Sequence, residues 1–272
     1  MTRSISRDTR LCMSLSARPG NFGTRFQNHL YEALNLDYVY KAFTTRDLPA
    51  AIGGIRALGI RGCAISMPFK EACIPFLDSL APSASAIMSV NTIVNDDGHL
   101  RGYNTDYTAV AALLLKHSVP NESTFVLRGS GGMARAVACA LRDAGYRNGT
   151  IVARNATSGP RLAEECGYRW QPELDSLRPA MLVNVTPIGM AGGPEVDALA
   201  FPEDAIDRAE TIFDVVALPV ETPLIRAART AAKRLITGAE VIVLQAVEQF
   251  VLYTGVQPSE QQIAAAAAHA LA

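Results

Sequence analysis

The chain has 272 residues, 25 Lys and Arg against 26 Asp and Glu for a formal charge of −1, with 49% hydrophobic and 19% charged residues. That balance excludes a disordered chain, which needs low hydrophobicity and high net charge, and it leaves no basic excess with which to hold nucleic acid by charge. No apolar run approaches the ~18 residues of a membrane span, and the polar start carrying Arg3, Arg7 and Arg10 lacks the apolar stretch of a signal peptide, so no membrane partner and a cytoplasmic location are expected.

Helical and strand-like periodicities alternate along the chain. The spacing of Phe22, Phe26, Leu30 and Ala33 predicts a helix from Phe22 to Leu36, followed by a short strand at Tyr38–Tyr40. Asp47 caps the next helix, Pro49 sits in its first turn and Gly59 ends it. Gly62–Ser66 reads as a buried strand, a further helix begins at Lys70, and strands Ser89–Val94 and His99–Tyr103 are joined through Asp97-Gly98, a hairpin turn pair. A helix over Asp106–His117 leads into a second series: strand Thr124–Leu127, helix Met133–Ala144, strand Thr150–Ala153, helix Gly159–Cys166, and strands at Met181–Val185 and Thr211–Val215. Two terminal helices, Val241–Tyr253 and Ser259–Leu271, close the chain. The fold class expected is α/β: an N-terminal mixed-sheet α/β domain followed by a Rossmann-type doubly wound parallel domain.

The five cysteines are scattered and odd in number, without a C-x-x-C pair, and the four histidines are dispersed. Neither a metal site nor a disulfide framework is expected; the thiols read as reduced.

The first chemical signal is Gly129-Ser130-Gly131-Gly132-Met133-Ala134, a G-x-G-x-x-A run between a predicted strand and a predicted helix. Gly129 permits the tight turn, Gly131 lets backbone approach a pyrophosphate, and Ala134 allows close helix–strand packing. The helix N-terminus then offers free N–H groups and a positive dipole end to the phosphates. An NAD site carries Asp or Glu at the end of the next strand, to bond the ribose 2′-hydroxyl. Ala153-Arg154-Asn155 stands there instead, and a guanidinium suits a 2′-phosphate. NADP is expected over NAD.

The second signal is a set of polar clusters at predicted strand ends in the first half: Ser66-Met67-Pro68-Phe69-Lys70, Ser89-Val90-Asn91-Thr92 and Gly102-Tyr103-Asn104-Thr105-Asp106. Open α/β sheets bind ligands at such ends. Lys70 and Asp106 are candidates to pair across a cleft; taken alone, each is more often an ordinary surface charge or a helix cap.

These runs together resemble the shikimate dehydrogenase family, and most closely its shikimate dehydrogenase-like branch. The resemblance runs from about residue 11 to residue 256 through Ser14-x-Ser16, Ser66-x-Pro68-x-Lys70, Val90-Asn91-Thr92, Asn104-Thr105-Asp106, the glycine run, Asn184-Val185-Thr186-Pro187-Ile188-Gly189-Met190, Phe213-Asp214-Val215-Val216, Pro219, Thr222-Pro223-Leu224, Gly238 and Gln245-Ala246. It implies a substrate-binding domain over residues 1–105, a dinucleotide-binding domain over 106–239, an active site in the cleft between them, and C-terminal helices over 240–272 that pack back on the first domain. It implies Lys70 and Asp106 as the catalytic pair. Ser14 and Ser16 would bind the substrate carboxylate, and Ser66, Asn91 and Gln245 its hydroxyls. The cofactor residues implied are Gly129, Ser130, Gly131, Gly132, Met133 and Ala134 at the pyrophosphate, Arg154 at the 2′-phosphate, and Thr186, Gly189, Met190 and Gly238 towards the nicotinamide. The activity implied is NADP-dependent interconversion of shikimate, or a close cyclic hydroxy acid, and its 3-keto form. A free lysine has a pKa of about 10.4, so an ammonium at this place donates its proton readily in the reductive direction.

The chain departs from the family pattern at Ala17, at Ala64-Ile65-Ser66, at Tyr107, at Ala153 and Asn155 around Arg154, and at Ala217, where the family places a substrate-fixing tyrosine. Two further readings stay open on the sequence: an NAD-dependent quinate/shikimate catabolic dehydrogenase, and a dinucleotide-binding sensor without turnover. The oligomer expected is a monomer or a homodimer.

Overall fold

The computed structural model describes residues 5–272; residues 1–4, the start of the polar N-terminal segment, lie outside it. Two compact units divide the chain, one holding the residues up to Thr105 together with Val243–Ala272, the other Asp106–Ile242.

The first unit runs β1 (Arg10–Leu15), α1 (Phe22–Ala33), β2 (Tyr38–Phe43), α2 (Leu48–Ala57), β3 (Gly62–Ile65), α3 (Phe69–Ala72), a 3₁₀ turn (Ile74–Phe76), β4 (Ser79–Leu80), α4 (Pro82–Ser85), β5 (Thr92–Asp96) and β6 (His99–Tyr103). Its strands form one sheet in the order β2-β1-β3-β5-β6-β4. β1 pairs parallel with β2 and β3, whereas β3–β5 and β5–β6 are antiparallel, so the sheet is mixed. Asp97 (φ 50°) and Gly98 (φ 91°) make the β5–β6 turn with two positive φ angles, as a two-residue hairpin matched to strand twist requires. Asp47 caps α2 by accepting from the Ala50 amide at 3.0 Å.

Two of the expected boundaries move, and a central strand appears that was not expected. The helix expected to reach Leu36 stops at Ala33, because Asn35 turns left-handed (φ 50°) and the Leu36 amide bonds back to the Tyr31 carbonyl at 2.9 Å. The strand expected from Ser89 begins only at Thr92, since the Val90 amide is taken by the Lys70 carbonyl at 2.8 Å. β1 itself was not among the expected strands; its neighbours on both sides, not its own pattern, make it a central strand.

α5 (Thr105–Lys116) begins the second unit, followed by β7 (Phe125–Arg128), α6 (Gly132–Asp143), β8 (Gly149–Val152), α7 (Ser158–Cys166), β9 (Arg169–Gln171), β10 (Met181–Asn184), α8 (Glu203–Arg208), β11 (Thr211–Asp214), α9 (Pro223–Thr230) and β12 (Arg234–Thr237). All six strands are parallel in the order β12-β11-β10-β7-β8-β9. Numbered within the unit this is 6-5-4-1-2-3, the doubly wound order, with its switch point between β7 and β10. The strands β9 and β12 and the helices α8 and α9 are short and were not among the expected elements; the sheet recruits them.

α10 (Gly238–Thr254) carries the chain from the second unit to the first, and α11 (Glu260–Leu271) ends it. Within the first unit, Phe250, Tyr253, Ala266 and Ala270 share one core with Phe26, Leu30, Tyr31 and Tyr40. The alanines let α11 lie close against α1, and a capping box between Ser259 and Gln262 starts it. No helix of the described residues is long and apolar enough to cross a membrane.

Candidate functional site

In the second unit a pocket of about 280 Å3 opens at the carboxyl ends of β7, β8 and β10, lined by Gly129, Ser130, Arg154, Asn155, Thr186 and Ile188 among others. This is the end at which doubly wound sheets take their ligands. Gly129 has φ 130°, and a Cβ there would lie 2.8 Å from Val185 Cγ2, so backbone conformation and space both demand glycine. At Gly131 and Gly132 a Cβ would meet nothing within 4 Å. The backbone of the first turn of α6 is therefore bare and open, as a helix N-terminus that receives a phosphate must be. Ala134 is fully buried, and Met133 is half-buried beside it. These residues fit a dinucleotide.

Arg154 is exposed directly after β8, and no carboxylate stands at that strand end. Asn155 Oδ1 accepts from the amides of Thr157 and Ser158, both at 2.9 Å, and so turns the chain into α7. The Ser130 and Ser158 hydroxyls hydrogen-bond at 2.7 Å and tie the glycine turn to the start of α7. Gly159 lets α7 pass close to the sheet, for a Cβ there would lie 2.3 Å from Trp170 Nε1. Neither Ser158 nor Asn155 was a sequence candidate. Their signal, a polar run just before a helix, is too common to single them out.

The wall opposite Arg154 is the turn after β10. Asn184 Oδ1 accepts from Thr186 Oγ1 (2.6 Å) and from the Thr186 amide (3.1 Å), and Thr186 Oγ1 accepts from the Ile188 amide (3.3 Å). Asn184 Nδ2 donates to Asp214 Oδ1 (3.0 Å) and to the Ile188 carbonyl (3.3 Å). Asp214 Oδ1 also accepts from the Val216 amide (3.1 Å), and its Oδ2 accepts from Thr222 Oγ1 (2.6 Å). Asn184, Asp214 and Thr222 are all fully buried. That burial pushes the Asp214 carboxyl up to about 6, against the opposing pull of its three hydrogen bonds. Gly189 follows with φ 86°, its amide bonded to the Glu195 carbonyl at 2.9 Å, and Met190 is exposed beyond it. Gly238 backs this region from the start of α10: a Cβ there would lie 2.3 Å from the Val216 carbonyl.

In the first unit the candidate substrate residues gather where β1 and β3 end and β5 begins. Ser14 lies on β1 opposite Ala64 of β3, and the Tyr40 hydroxyl hydrogen-bonds its side chain. Ser16 continues past the strand end with its amide on the Phe43 carbonyl (3.2 Å). Ser66 follows β3, bonded by its amide to the Leu15 carbonyl (3.0 Å), and it leads into α3, where Lys70 is the second residue. The Ile65 amide bonds the Asn91 carbonyl (2.7 Å) and the Val90 amide the Lys70 carbonyl (2.8 Å), so backbone bonds hold Lys70 and Asn91 on adjoining segments. Asn91 Oδ1 accepts from the Thr105 amide and from Thr92 Oγ1, both at 2.8 Å, while its Nδ2 donates to Thr105 Oγ1 (3.0 Å). Asn91 thus spends its amide on the Asn104-Thr105 corner. Asn104 is locked there by its own bonds to Ser89 and Ser83.

Gln245 lies on α10 within the first unit, half-buried and adjacent to Ala246, whose carbonyl accepts from Gln27 Nε2 (2.9 Å). Asp106 is the acidic residue in the first turn of α5, where a carboxylate also complements the helix dipole. Gln249, one turn after Gln245, donates to Thr92 Oγ1 (3.0 Å) and anchors α10 on β5. All five cysteines are free and buried. No group of three or more metal-ligating side chains occurs among the described residues.

Comparisons with known proteins bear on both units. Residues 22–93 match the family described as the shikimate dehydrogenase substrate binding domain. The chain is 57% identical over 266 residues to a shikimate dehydrogenase-like protein of Haemophilus influenzae, covering 98% of each. It is 35% identical over 247 residues to the NADP(+) shikimate dehydrogenase of Moorella thermoacetica, covering 84% of this chain and 82% of that one. Among solved structures, the Thermus thermophilus shikimate 5-dehydrogenase in complex with NADP(H) and shikimate superposes with a TM-score of 0.86 at 30% identity, covering 96% of this chain and all of the other.

Proposed function

The chain belongs to the shikimate dehydrogenase family, and from that premise we propose that it is an NADP-dependent oxidoreductase interconverting shikimate, or a close cyclic hydroxy acid, and its 3-keto form. The observation that carries the cofactor half is the end of β8. A lone exposed guanidinium, Arg154, stands beside an open glycine turn where an NAD site needs a carboxylate. Bound NADP supplies or accepts the hydride. Gly129, Ser130, Gly131, Gly132, Met133 and Ala134 would hold its pyrophosphate, Arg154 its 2′-phosphate, and Thr186, Gly189, Met190 and Gly238 the nicotinamide side.

The remaining work falls to this chain's own side chains. Ser14 and Ser16 receive the substrate carboxylate at the end of β1. Ser66, Asn91 and Gln245 bind ring hydroxyls. Lys70 takes the proton from the hydroxyl that becomes the ketone and returns it in reduction; Asp106 orients the ammonium and bonds the same hydroxyl. The substrate side is the residues up to 105 with the C-terminal helices, the dinucleotide side residues 106–239, and the protein works in the cytoplasm.

The deciding experiment follows nicotinamide absorbance with shikimate and with quinate, each paired with NADP and with NAD. Turnover of shikimate with NADP supports the reading. A clear preference for NAD, or cofactor binding without turnover of either acid, refutes it. Lys70→Ala should lower kcat by roughly 100-fold or more and change KM far less. A raised KM at unchanged kcat would make Lys70 a binding residue only.

A further inference from the structure

The hydrogen bonds behind the β10 turn converge on one carboxylate that touches neither the pocket nor any proposed ligand. We infer that Asp214 is a positioning residue for the cofactor: through Asn184 it fixes the Thr186–Met190 turn that walls the dinucleotide pocket. This rests on the proposed function for the identity of the ligand.

The case is geometric. Asp214 is the last residue of β11 and Asn184 the last of β10, and the two are register partners in the sheet. The carboxylate accepts three hydrogen bonds from three directions: Asn184 Nδ2, the Val216 amide and Thr222 Oγ1. With Nδ2 thus engaged, the Asn184 amide plane is set and its Oδ1 faces the Thr186 amide and hydroxyl. Thr186 Oγ1, so oriented, accepts from the Ile188 amide, while Asn184 Nδ2 also reaches the Ile188 carbonyl. The turn contains no regular secondary structure that would hold it otherwise. Thr186 and Ile188 line the pocket directly, and Val185 packs on Gly129 of the phosphate turn.

A buried carboxylate is an expensive choice for a purely structural knot, as its raised protonation range indicates. An apolar residue would fill the space at lower cost. What the carboxylate adds over an apolar residue is an acceptor that engages Asn184 Nδ2 and so fixes its amide plane.

The test uses the full-length protein, with two readouts. Hydrogen exchange reports the Thr186 and Ile188 amides. Fluorescence of Trp170, the chain's single tryptophan, reports NADP+ binding, for its Nε1 donates to the carbonyl of pocket-lining Ala153 at 3.1 Å. In Asp214→Ala the two turn amides should exchange at least about tenfold faster, amides of β7 and β8 should be unchanged, and NADP+ should bind at least about tenfold more weakly. Asp214→Asn retains an acceptor for Asn184 and should restore both readouts to within about threefold of wild type. If Asp214→Ala fails to fold, Asp214→Leu replaces it: the branched apolar side chain fills the space but offers Asn184 no acceptor, so the same two changes are expected of it. Unchanged turn exchange in the folded variant overturns the inference, as does faster exchange with unaltered NADP+ affinity. Wild-type protein that binds no NADP+ refutes the proposed function instead, and the exchange readout then decides alone whether Asp214 holds the turn.

Discussion

Acidification should stabilise this protein through Asp214, the reverse of the usual behaviour of a carboxylate in a folded chain. The perturbation is Asp214→Asn, which removes the titration and leaves the side chain's shape. Burial raises the folded-state carboxyl from 3.8 to about 6, and its partners, Thr222, the Val216 amide and Asn184, are all neutral. A raised pKa means that the native state holds the proton over a range in which the unfolded chain has released it. The contribution to stability is fully present below pH 3.8 and is lost as pH rises through about 6. Across the whole window the difference amounts to roughly 3 kcal/mol, taking about 1.4 kcal/mol per pKa unit.

Between about pH 7.5 and about pH 5, wild type should gain roughly 1.4 kcal/mol from this group while Asp214→Asn gains nothing from it. The amide cannot accept the Thr222 hydroxyl as the carboxylate does at 2.6 Å, but that cost is the same at both pH values and cancels. Urea unfolding of both proteins at the two pH values measures the double difference, in which every other titrating group also cancels. Wild type should improve relative to the variant on acidification. A gap that stays constant, or moves in favour of the variant, would falsify the assignment of a desolvated, uncompensated carboxylate at position 214.

Other outcomes follow from single sites. Arg154→Ala should weaken NADPH by roughly 10- to 100-fold, the loss of a charge-assisted contact of about 1.5–3 kcal/mol, and leave NADH within error; equal losses for both cofactors would remove Arg154 from the 2′-phosphate. Gly62→Ala drives a Cβ to 2.2 Å from the ring of fully buried Tyr253, and should cost about 1–3 kcal/mol in urea unfolding; a neutral result would mean that α10 is not seated on β3. Ser259→Ala removes the side-chain half of the capping box that starts α11, the hydroxyl that accepts from the Gln262 amide, and should cost about 1 kcal/mol, read as faster exchange of α11 amides; unchanged exchange would show that packing on α1 alone sets that helix.

Local chemistry is what the chain announces by itself. Gly129-Ser130-Gly131-Gly132-Met133-Ala134 is legible because a strand-to-helix turn that admits phosphate needs glycine at fixed offsets, and Arg154 because one strand end decides between a hydroxyl and a phosphate. Asp97-Gly98 names its own turn for the same reason: two successive positive φ angles leave few residue choices. The alternation of periods likewise announces the mixed sheet and the doubly wound sheet, since burial of one face imposes the period.

Tertiary structure alone decides what long-range pairing creates. β1, β9 and β12 are strands because a neighbouring strand supplies their hydrogen bonds, not because their own residues alternate. Asp214 sits in the sequence as one acid in an apolar run. Its meaning appears only when parallel pairing sets it beside Asn184, thirty positions away, and the turn after β11 folds Thr222 over it. A hydrogen-bond network is a property of positions in space, and no spacing along the chain encodes it. Near-neutral charge and length excluded whole classes of partner at the outset; the fold then concentrated polar recognition at a few strand ends, where backbone N–H groups and single side chains converge.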